Sequence, residues 1–408
     1  MADIAFFDLP SYTRIDTTLG LIQELADRGE KIDYYYFDEF RDKIESAGAR
    51  FQPLPSMKPP DSDPTLQSRL IEYCLDAVPI LLENLKVNRP KLIIFHAKCL
   101  WAAICADLLN ISSVCFHTNF LLPPHFLPPL PLLLAAYPIN DIVKHLQRFY
   151  RHQQLWQQLT QKYAIKTISK KDVFQLQPNS MNLRGDLNIV YTSEMFQIQR
   201  SYFDASYIFT GPCYSQRAVD SQFPLLKSAE KPIIYISLGS VTLYNSKTFF
   251  YQQCLQAFAN SEYTVVMSVG KFIDIAELGN IPPNFIVSNY VPQMQVLQQA
   301  SVFITHGGTN STWEALIHKV PLVVFPQGGD QYLVANRVEE LNIGVWVKQK
   351  NIAPLKLRSL VEQIIKDEKI RSNVDLLSSS LITSGGTQKA VDKILEFKQR
   401  NSISHVWQ

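Results

Sequence analysis

The sequence predicts an α/β protein made of two doubly wound domains, each a parallel sheet with helices on both faces. Three observations predict it. Short apolar runs alternate with helix-length amphipathic segments through the first half, which is the pattern of βαβ units. The alternation restarts at Ile233-Ile234-Tyr235-Ile236-Ser237. The chain has 408 residues, of which 46% are hydrophobic, enough for two cores where a domain usually takes ~100–200 residues. In this architecture ligands bind at the carboxyl ends of the strands, here expected in a cleft between the facing domains.

Ile4 to Leu9 is expected as the first strand. Thr17 to Arg28 follows as a helix, with Leu19, Ile22 and Leu25 on one face and Gly29 past its end. A strand over Ile32 to Tyr36 and a helix over Asp38 to Ala47 come next. Strands at Leu92–Phe95 and Ser113–Phe116 flank a helix from Lys98 to Leu109. The glutamine-rich stretch from Asp141 to Tyr163 has the spacing of a long amphipathic helix, and short strands lie near Ile189 and Ile208. In the second half, strands are expected near Thr264–Ser268, Phe285–Val287, Val302–Thr305, Leu322–Phe325 and Val345–Val347. Helices over Pro354–Lys366 and Thr387–Gln399 close the chain. The resulting division is 1–214 for the first domain, 215–231 for a linker, 232–385 for the second domain, and 386–408 for a terminal helix that packs back on the first.

Lys+Arg 39 against Asp+Glu 37 is nearly balanced, and no long basic run appears, so nucleic acid is not an expected partner. Six cysteines scattered among apolar residues, without a CxxC pair, point to buried thiols in a reducing, cytoplasmic setting. The first ten residues have no basic n-region and no long apolar run, so they do not form a signal peptide. The greasiest segment, Phe120 to Tyr137, is broken by five prolines and suits an apolar pocket loop better than a membrane span.

Chemistry concentrates in four loops of the second half. Val302-Phe303-Ile304-Thr305 runs into His306-Gly307-Gly308-Thr309-Asn310-Ser311-Thr312-Trp313-Glu314. A strand, a glycine turn and a helix start form a site for a phosphorylated ligand, because glycine lets the backbone approach and the first helical N–H groups face the anion. His306, Asn310 and Ser311 add donors, and the Glu314 carboxylate suits two ribose hydroxyls. Ser237-Leu238-Gly239-Ser240 permits a tight turn beside a phosphate. Tyr290-Val291-Pro292-Gln293 offers an aromatic face and an amide for a base, although core packing explains that tetrapeptide equally well. Asp330 and Gln331 suit sugar hydroxyls, or cap the next helix. No GxxxxGK[ST] or GxGxxG occurs, which argues against ATPase and dehydrogenase functions.

On these residues the chain resembles the nucleotide-sugar-dependent glycosyltransferases of the GT-B fold, two Rossmann-like domains, and within them the bacterial macrolide glycosyltransferases. Phe6-Phe7-Asp8-Leu9-Pro10-Ser11-Tyr12 is similar to the family's first strand. The resemblance implies a UDP- or TDP-sugar held by the C-terminal domain as a substrate, with no cofactor. It implies a small hydrophobic alcohol or phenol on the N-terminal domain, and inversion without a metal. It further implies Tyr290 on the base with Val291 in the same loop, Gln293 on base or ribose, and Glu314 on ribose. Ser237, Gly239, Ser240, His306, Gly308, Thr309, Asn310 and Ser311 would surround the diphosphate, and Asp330 and Gln331 the transferred sugar. Tyr12, His117, Phe120 and Phe126 are the candidate acceptor-pocket residues, although core or loop placement suits His117 better.

The chain departs from the family at the catalytic pair. Where relatives carry a histidine base after the first strand, this chain has Arg14, and where an aspartate holds that histidine, it has His96. Arginine stays protonated and accepts no hydrogen bond, so Arg14 is no base. Three readings stand. His96 is the base, with Asp16 and Asp8 behind it. Alternatively, the acceptor is an anion gripped by Arg14. Or transfer is lost and the chain is a binding or auxiliary module, or one with different chemistry on the acceptor.

Overall fold

The computed structural model describes residues 2–9, 15–56, 66–123, 126, 142–173, 181, 183–213, 231–239, 248–349 and 351–404. They form two compact units, one of residues 1–216 with 383–408 and one of residues 217–382. Each is built on an all-parallel sheet.

In the first unit the strands are β1 (Ile4–Phe7), β2 (Ile32–Tyr36), β3 (Arg50–Pro53), β4 (Leu92–His96), β5 (Ser113–His117), β6 (Leu187–Val190) and β7 (Tyr207–Phe209). Their order across the sheet is β3-β2-β1-β4-β5-β6-β7. β1, β2 and β4 are buried at every residue, as a parallel sheet covered on both faces requires. Helices α1 (Ile15–Asp27), α2 (Arg41–Ser46), α3 (Leu66–Val87), α4 (Leu100–Leu109), α5 (Ile142–Lys162) and α6 (Lys170–Val173) belong to it. Leu81, Leu85, Trp101, Cys105, Trp156 and Leu159 join the core cluster on one face of the sheet.

The second unit holds β8 (Ile233–Ser237), β9 (Thr264–Ser268), β10 (Phe285–Ser288), β11 (Ala300–Thr305), β12 (Leu322–Val324) and β13 (Gly344–Trp346), in the order β10-β9-β8-β11-β12-β13. Its helices are α7 (Thr248–Phe258), α8 (Gln293–Leu297), α9 (Thr309–Ile317), α10 (Gln331–Glu340), α11 (Pro354–Lys366) and α12 (Glu368–Thr383). The last helix, α13 (Gly386–Ser404), belongs to the first unit. There Arg28 pairs with Asp392 at 2.6 Å, and Lys398 pairs with Glu30 between well-buried side chains.

Several expectations change. The first strand stops at Phe7, because Asp8 turns its carboxylate back onto the Leu9 amide. The helix expected from Lys98 starts at Leu100, since His96-Ala97-Lys98 forms a turn closed by Cys99 N–H on the His96 carbonyl. Asp38 to Ala47 is a 3-10 turn followed by a short α-helix. β3, α3, α7 and α12 were not expected at all. Residues 383–385, assigned from the sequence to the second domain, cluster with the first unit. The six cysteines are buried thiols. Among the described residues no helix is long and apolar enough to cross a membrane.

Candidate functional site

The second unit brings its loops together through sheet order. β8 and β11 are neighbours although three strands apart in sequence, with Ser237 paired to Thr305. The chain therefore reverses its winding between them, and their loops emerge side by side at the carboxyl ends. Gly239 comes from one and His306-Gly307-Gly308 from the other. The His306 imidazole fills the gap. A Cβ on Gly239 would lie 2.7 Å from its Cε1, and one on Gly308 would lie 2.5 Å from its Nε2. Gly239 and Gly307 also have φ of +82° and +79°, backbone that side chains resist. Burial pushes the His306 pKa down to about 4, against a smaller pull upward from Asp330. At neutral pH the ring is uncharged and offers one N–H and one lone pair.

Helix α9 opens directly after the glycines, with Gly308 at its N-cap position and no side chain spent on capping. The first-turn N–H groups therefore point where an anion would sit. Thr309 donates to the Asp330 carboxylate at 3.2 Å, which ties this loop to the one after β12. Asp330 stands at the N-cap position of α10, but its side chain makes no cap bond there. Gln331 is turned inward, and its carbonyl oxygen accepts the amides of Gln327 at 2.7 Å and Gly328 at 3.2 Å. That oxygen shapes the loop and so does not reach for a sugar; only the amide nitrogen retains that capacity.

Glu314 lies one helical turn into α9 and is 1% exposed. Gln293 Nε2 donates to its Oε2 at 2.5 Å and to Ser311 Oγ at 3.2 Å, while Gln293 Oε1 accepts from the Tyr235 hydroxyl at 3.1 Å. Gln293 is thus an internal bridge between β8 and α9, beside the carboxylate expected to meet the ribose. Val291 is core, at 3% exposure. Tyr290, by contrast, leaves 74% of its surface exposed on the loop after β10. Burying an aromatic ring stabilises by about 1.5–3 kcal/mol, so a ring held out by a fixed loop suits a stacking partner. Two amide bonds from Asn289, each 2.8 Å, hold that loop to Gly270 and Ile273. Ser237 ends β8, and its hydroxyl accepts the Gly239 amide at 3.3 Å. Asn310 is half-buried in the first turn of α9. Ser240 lies outside the described residues.

In the first unit β1 and β4 are the neighbours with reversed winding, paired through Phe7 and Phe95. The next residues, Asp8 and His96, emerge side by side. His96 is 2% exposed. Its Nδ1 accepts the Lys98 amide at 3.2 Å, which places the ring proton on Nε2, 3.1 Å from Thr118 Oγ1. Both nitrogens are engaged, so the lone pair a base needs already faces a backbone N–H. Asp8 is fully buried and takes bonds from the Leu9 amide (2.6 Å), Thr18 (3.1 Å) and the Tyr34 hydroxyl (3.3 Å). Thr118, Thr18 and Tyr34 were missed as site groups, and Asp8 was named only behind His96 as a base. A carboxylate inside an apolar strand run was the available signal for Asp8.

His117 does not join His96. It follows Phe116 by one residue and so points to the opposite face of the sheet, where its Nε2 lies 3.3 Å from Asn188 Oδ1. It is 4% exposed, and burial pushes its pKa down to about 4. Phe120 stacks on Phe196 with centroids 5.2 Å apart, and Phe126 is half-buried just beyond. Tyr12 and Arg14 lie outside the described residues, as does the side chain of Asp16, whose backbone is in α1.

Comparison with known proteins identifies the family. Residues 253–397 match the family model "Erythromycin biosynthesis protein CIII-like, C-terminal domain". The chain is 30% identical to the "Uncharacterized UDP-glucosyltransferase YojK" of Bacillus subtilis (strain 168), over 99% of both chains. It is 29% identical to the "NDP-glycosyltransferase YjiC" of the same organism, over 98% of both. Among solved structures, the glycotransferase of kitacinnamycin superposes with a TM-score of 0.82 at 25% identity, over 97% of this chain and 98% of that one. The chain belongs to the bacterial macrolide-type glycosyltransferases of the GT-B fold.

Proposed function

We propose that this glycosyltransferase moves a hexose from a UDP- or TDP-sugar to a small hydrophobic acceptor of the polyketide or phenol type, inverting the anomeric carbon without a metal. The observation that carries the donor half is the set of loops around His306, knit by the Gly239–His306, Gln293–Glu314 and Thr309–Asp330 contacts. In this reading Tyr290 stacks on the base and Glu314 accepts from the ribose. The neutral His306 and the first amides of α9 hold the diphosphate. That charge stabilisation helps the nucleotide leave as the sugar's C1–O bond breaks. The names of the two Bacillus relatives support a nucleoside diphosphate donor. The buried thiols support work in a reducing compartment.

Acceptor activation follows from His96. With Nδ1 turned to the Lys98 amide, His96 serves as a positioning residue for Thr118 and not as the base. This favours an acceptor that ionises readily by itself. A phenol, with a pKa near 10, loses its proton far more easily than an aliphatic alcohol.

The test is turnover of UDP-glucose and TDP-glucose against paired phenol and alcohol acceptors, with the product's anomeric configuration read by NMR and the assay repeated in EDTA. β-Linked phenyl glucoside, formed in EDTA, is the expected product. A retained α-linkage overturns inversion, and activity abolished by EDTA and restored by a divalent ion overturns the metal-free reading. Donor binding with no transfer to any acceptor would instead assign the chain a binding or auxiliary role.

A further inference from the structure

We propose that Tyr235 is a positioning residue for the nucleotide's ribose: its hydroxyl locks the Gln293 side chain in the orientation that presents N–H to Glu314 and Ser311. The inference rests on the donor-site reading above and adds a residue to it.

The logic is one of donors and acceptors. A carboxylate only accepts hydrogen bonds, so the group 2.5 Å from Glu314 Oε2 must be the amide nitrogen of Gln293. That choice turns the amide oxygen toward Tyr235, 3.1 Å away, and obliges the phenol to donate. Burial raises the Tyr235 pKa well above its ordinary value, so the proton is present at every working pH. A flipped amide would set its oxygen against the carboxylate, so Glu314 fixes which end faces it, and the Tyr235 hydroxyl, donating to the other end, holds the amide plane in place.

Tyr235 is itself immobile. It sits in β8, between β9 and β11, is 1% exposed, and stacks on Phe303 with centroids 4.6 Å apart and planes 13° apart. The rigid centre of the sheet is thereby connected through one side-chain amide to the carboxylate of α9. Glu314 meets the incoming ribose with its plane already set, so less side-chain freedom is lost on binding.

Tyr235→Phe keeps the stacked ring and removes only the hydroxyl. Isothermal calorimetry with UDP and with 2′-deoxy-UDP, plus steady-state kinetics, reads the result. The expected outcome is a UDP Kd and donor KM raised about five- to tenfold. The melting temperature, the acceptor KM and kcat at saturating donor should stay close to wild type. The preference for UDP over its 2′-deoxy analogue should shrink, because the loss falls on the ribose contact. In a Gln293→Leu background the same change should cost nothing further, since the relay is already cut. Equal weakening of both nucleotides, additive losses with Gln293→Leu, or a donor KM that does not move would each overturn the role of Tyr235. Wild-type protein that binds neither UDP nor TDP sinks the donor-site reading and this inference together. Wild-type binding that survives Tyr235→Phe unchanged sinks this inference alone.

Discussion

A methyl group placed on Gly308 would lie 2.5 Å from Nε2 of His306, closer than any real contact allows. The backbone there, at φ −63° and ψ 135°, suits any residue, so it is the histidine that requires the glycine. Gly308→Ala is expected to displace the imidazole and weaken UDP binding at least tenfold, in line with the ~1–3 kcal/mol cost of overpacking a filled site. His306→Ala should lose a similar amount, and the double variant little more, because both changes remove one contact. Calorimetry on the three variants checks this; independent, additive losses would separate the two residues.

pH dependence follows from the two depressed histidines. Folded His306 and His117 titrate at about 4, against an ordinary value of 6.5, through burial. Between these pH values the unfolded chain binds protons that the folded chain does not. Stability is therefore complete above pH 6.5 and falls as the pH drops toward 4. Melting temperatures across pH 4–8 should show that decline, and His117→Gln should flatten part of it. UDP-glucose affinity should stay level across pH 6–8, since neither His306 nor the doubly esterified diphosphate titrates there; a break near 6.5 would mean that the ring is solvated.

His96→Ala separates positioning from base catalysis. With the lone pair of Nδ1 already directed to the Lys98 amide, transfer to a phenol should keep the wild-type shape of its pH–rate profile, with a lower rate as Thr118 loses its partner. Loss of an acidic limb near pH 6–7 in the variant would restore His96 as the base.

The terminal helix is expected to stabilise the first unit. Lys398 and Glu30 have side chains only 12% and 14% exposed, and hydrogen bonds to charged groups contribute about 1.5–3 kcal/mol. Lys398→Ala should lower unfolding stability by about that amount in urea titrations, leaving UDP affinity unchanged. An effect below about 0.5 kcal/mol would place the pair among ordinary surface ion pairs.

Much of the second unit was legible because its strands are short apolar runs separated by glycine and proline turns. The His306–Glu314 segment stood out as a candidate site through residue type alone. Other parts were hidden for physical reasons. α3 carries Pro79 in its interior, which reads as a break. α12 contains Ser378-Ser379-Ser380, which reads as a loop, although Ile370, Val374, Leu377 and Leu381 keep the helical spacing that marks its buried face. The Gln293–Glu314 bond joins residues 21 apart, and the Tyr235–Gln293 bond joins residues 58 apart. No local pattern encodes such contacts; they exist only once β8, α8 and α9 are packed. The face that His117 takes rests on a one-residue difference from Phe116.

The central claim is a nucleotide-sugar site around His306 and Glu314 in a working transferase. Calorimetric titration with UDP and UDP-glucose, on wild type and on Glu314→Ala, tests it most directly. The expected result is one site per chain, with affinity reduced about tenfold or more by the substitution. No binding of UDP, UDP-glucose or a TDP-sugar at millimolar concentration, or binding indifferent to Glu314→Ala, would contradict it.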